Sequence, residues 1–343
     1  MHLLMKSLIL FLIPFSVVAE EFLPSNIYQL DSRFTHHIIV VEKSTHKLYV
    51  FENEDSKPKL LKTYKIATGK ITGDKKVQGD EKTPEGIYIF KKFRPAKDLL
   101  ASYGDYALIY GAGAFTTNYP NVMDVRAGKT GGGIWLHSAN DDSRVDKRFV
   151  SRGCVVAMDA DLKEVSNYID LENTPVVIVQ NLTYLNLDTW NQNKNKISGV
   201  VHTWAKAWKE KNFEEYISQY SKKEFYNARK GNYSQYRRYK KAIFSRTEKP
   251  EINFSNISIL SHEDYAVVTL EQDYKSKVIQ DVGKKVLYLK KDENYNWKIV
   301  AEQWHKLENE QVMAFVPSPR FFNESQDALV QSQDRKTSNV KEN

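Results

Sequence analysis

Gly133-Ile134-Trp135-Leu136-His137-Ser138 and, after a polar spacer, Ser151-Arg152-Gly153-Cys154-Val155-Val156 decide how this chain folds and what it does. Each half is a short apolar run expected to form a core strand. His137 closes the first run and Cys154 opens the second. The two lie 17 residues apart, too far to meet on one helix, but adjacent strand ends could bring them together. A thiol attacks a carbonyl as thiolate and a free cysteine titrates near ~8.5, so it needs a basic or cationic partner. A histidine can take that proton and return it to a leaving amine. Gly153 permits close backbone approach beside the nucleophile. The amides of Gly153 and Cys154 are available to hold a developing oxyanion.

Outward from this pair the pattern is strand-rich. His37-Ile38-Ile39-Val40-Val41 and Lys47-Leu48-Tyr49-Val50-Phe51 flank Ser44-Thr45-His46, a hairpin signal. Leu61 to Thr68 and Gly86 to Phe90 are further strands, and Val176 to Val179 is a buried closing strand. One helix is expected from Asp159 or Asp161, either able to cap it, with Leu162, Val165 and Ile169 at helical spacing. Residues 36–181 thus predict a β-rich domain. The polar stretch Asn181 to Lys196 reads as a boundary. Beyond it Val200, Trp204, Trp208, Phe213, Tyr216, Ile217 and Tyr220 recur at helical intervals, and Tyr233 to Phe244 is another helix. Strand runs follow at Ile252 to Leu260, Tyr265 to Tyr274 and Lys285 to Leu289, continuing through Trp297 to Trp304. Helices followed by an antiparallel sheet predict a smaller α+β domain over 196–320.

The ends carry other signals. Lys6, an apolar run from Ser7 to Val18, and small residues Val17 and Ala19 are expected to make residues 1–19 a signal peptide for export to the periplasm, with an uncleaved membrane anchor as the alternative. Asn323 to Asn343 is polar and aperiodic, and residues 321–343 are expected to be a disordered tail. Cys154 is the single cysteine among 343 residues. In an exported protein it cannot form an internal disulfide, so the thiol is either buried and inert or present to react. Lysine and arginine number 50 against 43 acidic residues, too mild and dispersed an excess to imply nucleic acid. No cofactor is expected. Asp141, Asp142 and Asp146 lack a ligand spacing with histidine, and His36, His37, His46, His202 and His305 are scattered, so no metal site is expected either.

His137, the spacer and Ser151-x-Gly153-Cys154 resemble the signature of the YkuD-type LD-transpeptidase family. Upstream, Gly79-Asp80-Glu81-Lys82-Thr83-Pro84-Glu85-Gly86-Ile87-Tyr88 is similar to the family's Thr-Pro-x-Gly block. Asn118-Tyr119-Pro120-Asn121, Asp124 and Gly128-Lys129-Thr130-Gly131 resemble its Gram-negative branch. The resemblance implies cysteine-dependent acyl transfer on peptidoglycan stem peptides, at the bond between meso-diaminopimelate and D-alanine. It assigns Cys154 as nucleophile and His137 as base and acid, oriented by the backbone carbonyl of Ser138, with Gly153 beside them. Tyr119 falls at the family's active-site tyrosine. Arg152 replaces the usual histidine, and Val156 a common asparagine. The C-terminal region resembles the cone-shaped, nuclear-transport-factor-2-like fold, a pairing similar to the cell-shape LD-carboxypeptidases of helical bacteria.

Several readings stay open. An amine acceptor would make the reaction transpeptidation, and water would make it carboxypeptidation or hydrolytic release of an attached protein. A wall-binding scaffold without activity is a third reading. Tyr119, Arg152 and Ser151 are expected to bind substrate, although Tyr119 could simply pack and Arg152 could pair with a nearby carboxylate. The second module is expected to position the enzyme on the wall or on a wall-linked or shape-determining protein. A chain ending near Asn181 is also expected to keep the cysteine site, provided the surface exposed between the domains does not unfold it.

Overall fold

The structure is a computed structural model and describes residues 20–246, 249–277, 279–307 and 315–322. The expected signal peptide and residues 323–343 of the expected tail lie outside the described residues. Among the described residues no helix is long and apolar enough to cross a membrane.

The first body is a closed sheet. Strands run in the order Val155–Ala157, Trp135–Ser138, Gly113–Thr117, Gly86–Pro95, Pro175–Val179, His37–Glu42, Lys47–Glu54 and Lys57–Gly69. Val155–Ala157 then pairs back onto Lys57–Gly69, with Val156 opposite Ala67, and shuts the barrel. The hairpin expected around Ser44 to His46 forms with Val41 opposite Leu48. Ile39, Val41, Leu48, Phe90, Phe115, Leu136, Val155, Val176 and Ile178 fill the interior. The expected helix spans Asp159–Ser166 and buries Leu162 and Val165. Neither of its own aspartates caps it. Met158 is the N-cap, and the Asp159 N–H donates instead to Asp142 Oδ1 at 3.0 Å, so a spacer aspartate holds this helix start.

The second body is a four-stranded antiparallel meander, Glu251–His262, Tyr265–Lys275, Gln280–Lys291 and Trp297–Lys306, with helices on one face. Ala266, Val268, Leu270, Leu287, Leu289 and Ile299 pack there against Trp204, Trp208, Tyr216, Tyr220 and Tyr236. The polar stretch Asn181 to Lys196, expected as a boundary, runs into a helix. A helix spans Leu187–Lys209, started by the Asn186 side chain accepting from the Thr189 N–H. Trp190 anchors its first turn, donating from Nε1 to the Ile27 carbonyl at 3.0 Å. The polar run is the exposed side of this helix, which is why it reads as a linker.

The two bodies share a core. Along His37–Glu42 the alternate residues Ile38 and Val40 face away from the barrel interior, as do Val177 and Val179 on the closing strand. They meet Tyr265, Val267, Val286, Tyr288 and Val300 from the outer face of the second sheet. The Ile87 N–H donates to the Tyr265 hydroxyl across this layer at 2.8 Å. Segments before the barrel and after the second sheet also cross over. Ile27–Gln29 adds an edge strand to the second sheet, and Phe22–Pro24 pairs with Tyr184–Asn186. Phe321 and Phe322, placed in the tail by the sequence reading, pack on Phe93 of the barrel at 5.2 and 4.9 Å between ring centres. Separation near Asn181 therefore uncovers an apolar layer and removes partners from both bodies, which is the condition on which the expected separability rests.

Two outcomes follow from this shared layer. Thermal unfolding of the full chain gives a single calorimetric transition, whereas two resolved transitions would contradict a shared core. Tyr265→Phe leaves the Ile87 N–H without a partner and lowers stability by about 1–3 kcal/mol, read from denaturant midpoints.

Candidate active site

His137 lies on Trp135–Ser138, which pairs in parallel with Val155–Ala157 so that Val156 sits opposite His137. Leu136 and Val155 point into the barrel, and His137 belongs to the opposite, outer row. That row reads Ala114, His137, Val156, Ala67 across four neighbouring strands. Small neighbours let the imidazole lie against the sheet. Its Nδ1–H donates to the Ser138 carbonyl at 2.7 Å, which leaves the Nε2 lone pair available. Tyr110 covers the ring edge-on at 5.0 Å. The Ser138 side chain works away from the thiol, its Oγ accepting from the Ala112 N–H at 2.7 Å.

Cys154 immediately precedes its strand, in a turn built by Ser151. The Ser151 hydroxyl donates to the Cys154 carbonyl at 2.7 Å and accepts from the Gly153 N–H at 3.1 Å. Gly153 holds a φ of 123°, and a Cβ there would meet the Lys82 carbonyl at 2.8 Å. Only glycine fits this approach. The expectation that Gly153 offers an oxyanion donor is corrected, because its N–H is spent inside the turn. Ser151, expected to touch substrate, is 7% exposed and serves that turn too. The thiol is half-buried. It donates to the Gly133 carbonyl at 3.3 Å rather than to the imidazole.

Tyr119 is also largely buried, its hydroxyl donating to the Thr130 carbonyl at 3.2 Å and its ring edge-on to Tyr88. Burial pushes its pKa up, so it remains a proton donor. Arg152 is exposed and donates to the Tyr106 hydroxyl, with its guanidinium over the same ring at 5.5 Å. Among the described residues it pairs with no carboxylate.

The sequence reading missed the surroundings. Ala96–Tyr103 and Gly104–Tyr110 bring Tyr103, Tyr106 and Tyr110 beside Trp135 and Arg152. Three nearly buried lysines brace the loops beneath. Lys43 bonds Glu85 at 2.8 Å, Lys75 bonds Asp80 at 2.7 Å, and Lys129 bridges Asp74 and Asp124 at 2.9 and 3.0 Å. Composition treats such charges as solvated surface. Asp80, Glu85, Asp124 and Lys129 fall inside the family-like motif blocks, the signal that could have found them.

The electrostatics favour a neutral resting pair. Burial lowers the His137 pKa to about 4, against the bond to Ser138. Burial raises the Cys154 thiol to about 11, opposed by a backbone hydrogen bond from Trp135 and by the cations of Arg152 and Lys75. The site can therefore hold an uncharged thiol beside an uncharged base, with positive charge ready to receive a developing anion.

Residues 36–178 match the YkuD L,D-transpeptidase catalytic domain, and residues 185–303 match the Cds6 C-terminal NTF2-like domain. A search of the curated proteins finds no match. Among solved structures, Bd1075 of Bdellovibrio bacteriovorus is similar at 31% identity and a TM-score of 0.73, over 84% of this chain and 100% of that one. The helical cell shape determining protein Pgp2 of Campylobacter jejuni is similar at 31% identity and a TM-score of 0.62, over 80% of this chain and 94% of its own. Both likenesses span the barrel and the cone together, and this chain belongs to the YkuD family of cysteine-dependent cell-wall enzymes, in the branch that carries a C-terminal NTF2-like domain.

Proposed function

We propose that this protein is a periplasmic LD-carboxypeptidase that trims tetrapeptide stems of peptidoglycan to tripeptides and so helps set cell shape. The observation that carries the reading is the likeness over both domains to a cell-shape-determining protein, joined to a His137–Cys154 strand pair at the barrel rim. Transpeptidation uses the same acylation and differs only in the acceptor.

The Cys154 sulfur attacks the carbonyl carbon between diaminopimelate and D-alanine while His137 Nε2 accepts the thiol proton. The tetrahedral oxyanion finds the Cys154 N–H, which the Ser151 turn leaves outside its own bonds. Collapse breaks the C–N bond, His137 returns the proton to the departing D-alanine amine, and a thioester remains. Water then attacks with His137 again as base, releasing the tripeptide carboxylate and restoring the thiol. Arg152, lacking a carboxylate partner, holds a carboxylate of the stem peptide near the sulfur. Ser138 fixes the imidazole tautomer, and Tyr119 stiffens the loop that carries Gly133.

Incubation with purified tetrapeptide muropeptides yields tripeptides and D-alanine by mass analysis. Cross-linked dimers as the main product would place the enzyme among the transpeptidases. Cys154→Ala abolishes turnover without lowering the melting temperature, and wild-type-like activity in that variant would end the cysteine mechanism. Arg152→Ala raises KM roughly tenfold or more with a smaller effect on kcat, since a hydrogen bond to a charged group contributes about 1.5–3 kcal/mol.

The pH dependence has a definite sign. His137 is neutral above about 4 and Cys154 protonated below about 11, the two forms that general-base attack requires. Acylation by a carbapenem is accordingly level across neutral pH and falls only as His137 protonates in acid. Iodoacetamide labelling of the free enzyme instead climbs through the alkaline range. A labelling plateau already reached at pH 5 would mean a thiolate–imidazolium pair and refute the neutral resting state.

A further inference from the structure

We propose that the basic outer face of the second body is a docking surface for an anionic lipid bilayer. Between residues 222 and 241 the chain places eight lysines and arginines against one acidic residue, Glu224. This run forms the hairpin of Tyr226–Asn227 with Gly231–Asn232 and the first part of the helix Tyr233–Arg246. Tyr236, Lys240 and Phe244, four residues apart, turn inward and are buried. Arg238 and Lys241, three residues apart, share the exposed stripe of the same helix. The hairpin is fastened beside that stripe. Gln235 Oε1 accepts from the Asn232 N–H at 2.9 Å, Asn232 Oδ1 accepts from the Gln235 N–H at 3.1 Å, and the Lys230 ammonium lies 4.2 Å from the Tyr239 ring centre. Arg229 and Lys230 at the hairpin tip thus join Arg238 and Lys241 in one basic face.

The charge of this face is left unmatched within the protein. Glu224 is held between Lys290 at 3.0 Å and Arg126 at 3.7 Å, and Glu214 is held by Arg237 at 2.9 Å. Glu293 is taken by Lys223. Among the described residues Arg229, Lys230, Arg238 and Lys241 pair with no carboxylate. Like charges gathered in this way repel one another, and an anionic surface relieves that repulsion.

Cations alone would suit any polyanion, and the apolar members of the face select the bilayer. Tyr226 is 55% exposed and Tyr239 38%, and Val125 on the neighbouring barrel helix Val122–Arg126 is 61% exposed. Val125 and Tyr226 line the same cleft between the bodies, so the face continues from the hairpin onto the barrel. Tyrosine rings settle at the headgroup level of a bilayer, with the ring body in an apolar setting and the hydroxyl wet. Each lysine or arginine close to an anionic leaflet strengthens partition about fivefold. The lysines of the cone take no part, because Lys240 and Lys285 are buried against Trp208 at 4.5 and 5.4 Å.

The test is co-sedimentation of the full chain with vesicles of mixed phosphatidylglycerol and phosphatidylcholine, against vesicles of phosphatidylcholine alone. The wild type partitions onto the anionic vesicles and not onto the neutral ones, and it dissociates as salt is raised. Arg238→Ala combined with Lys241→Ala weakens partition about 25-fold, and Tyr226→Ala about threefold, at unchanged melting temperature. Lys47→Ala removes an exposed lysine of the barrel and leaves partition unchanged. The readout needs no turnover, so it is independent of the cysteine reaction. Absence of partition onto the anionic vesicles overturns the proposal. A loss in Lys47→Ala matching that of Arg238→Ala also overturns it, by reducing the effect to net charge. Loss of binding to purified peptidoglycan sacculi in the double variant, with vesicle partition intact, overturns the lipid assignment and gives the face to the polymer.

Discussion

The three-residue strand Val155–Ala157 is hydrogen-bonded on both sides, parallel to Trp135–Ser138 and antiparallel to Lys57–Gly69. That double pairing closes the barrel, and everything at the site depends on it. Closure places Val156 beside His137 and fixes the turn just before it, where Cys154 sits. A sheet left open at this point would have an edge where the thiol now stands, and no fixed distance from the base.

The barrel's outer surface is divided between two uses. On one side the Ala114–His137–Val156–Ala67 row lies beneath the aromatic segment ending at Tyr110. On the other, Ile38, Val40, Val177 and Val179 are covered by the second sheet. Strands buried on both faces lose the alternation of a half-solvated sheet, which explains the unbroken apolar runs at His37–Glu42 and Pro175–Val179. Inter-domain contacts are commonly polar and moderate. This one is an apolar layer with segments crossing from each body to the other, so the cone is held to the barrel as one body and presents its cavities in a fixed relation to the cysteine.

Charge placement serves the chemistry in a different way from what free-cysteine reasoning suggests. Desolvation keeps both reacting groups neutral, while Arg152 and Lys75 supply positive potential that favours the thiolate once the proton moves. The lysines beneath are costly to bury alone, and each is matched by a carboxylate at hydrogen-bond distance. They hold the loops that carry Gly133 and Lys82, whose backbone carbonyls approach the turn of Cys154.

The sequence by itself determined the local features. The His137 and Cys154 blocks, the hairpin at Ser44 to His46, the helix carrying Leu162 and Val165, and the change of period after residue 181 are all written in neighbouring residues. Only the tertiary structure decided the rest. Three-residue strands such as Ile27–Gln29 are too short to show a period, so the N-terminal segment's place in the second sheet could not be read. Phe321 and Phe322 look like ends of a polar tail until Phe93 is brought against them. The engaged N–H of Gly153 depends on how Ser151 turns, and a buried Lys75 differs from a solvated one only by what surrounds it. Such facts belong to contacts between residues distant in the chain, and a linear pattern carries no information about which contacts are made.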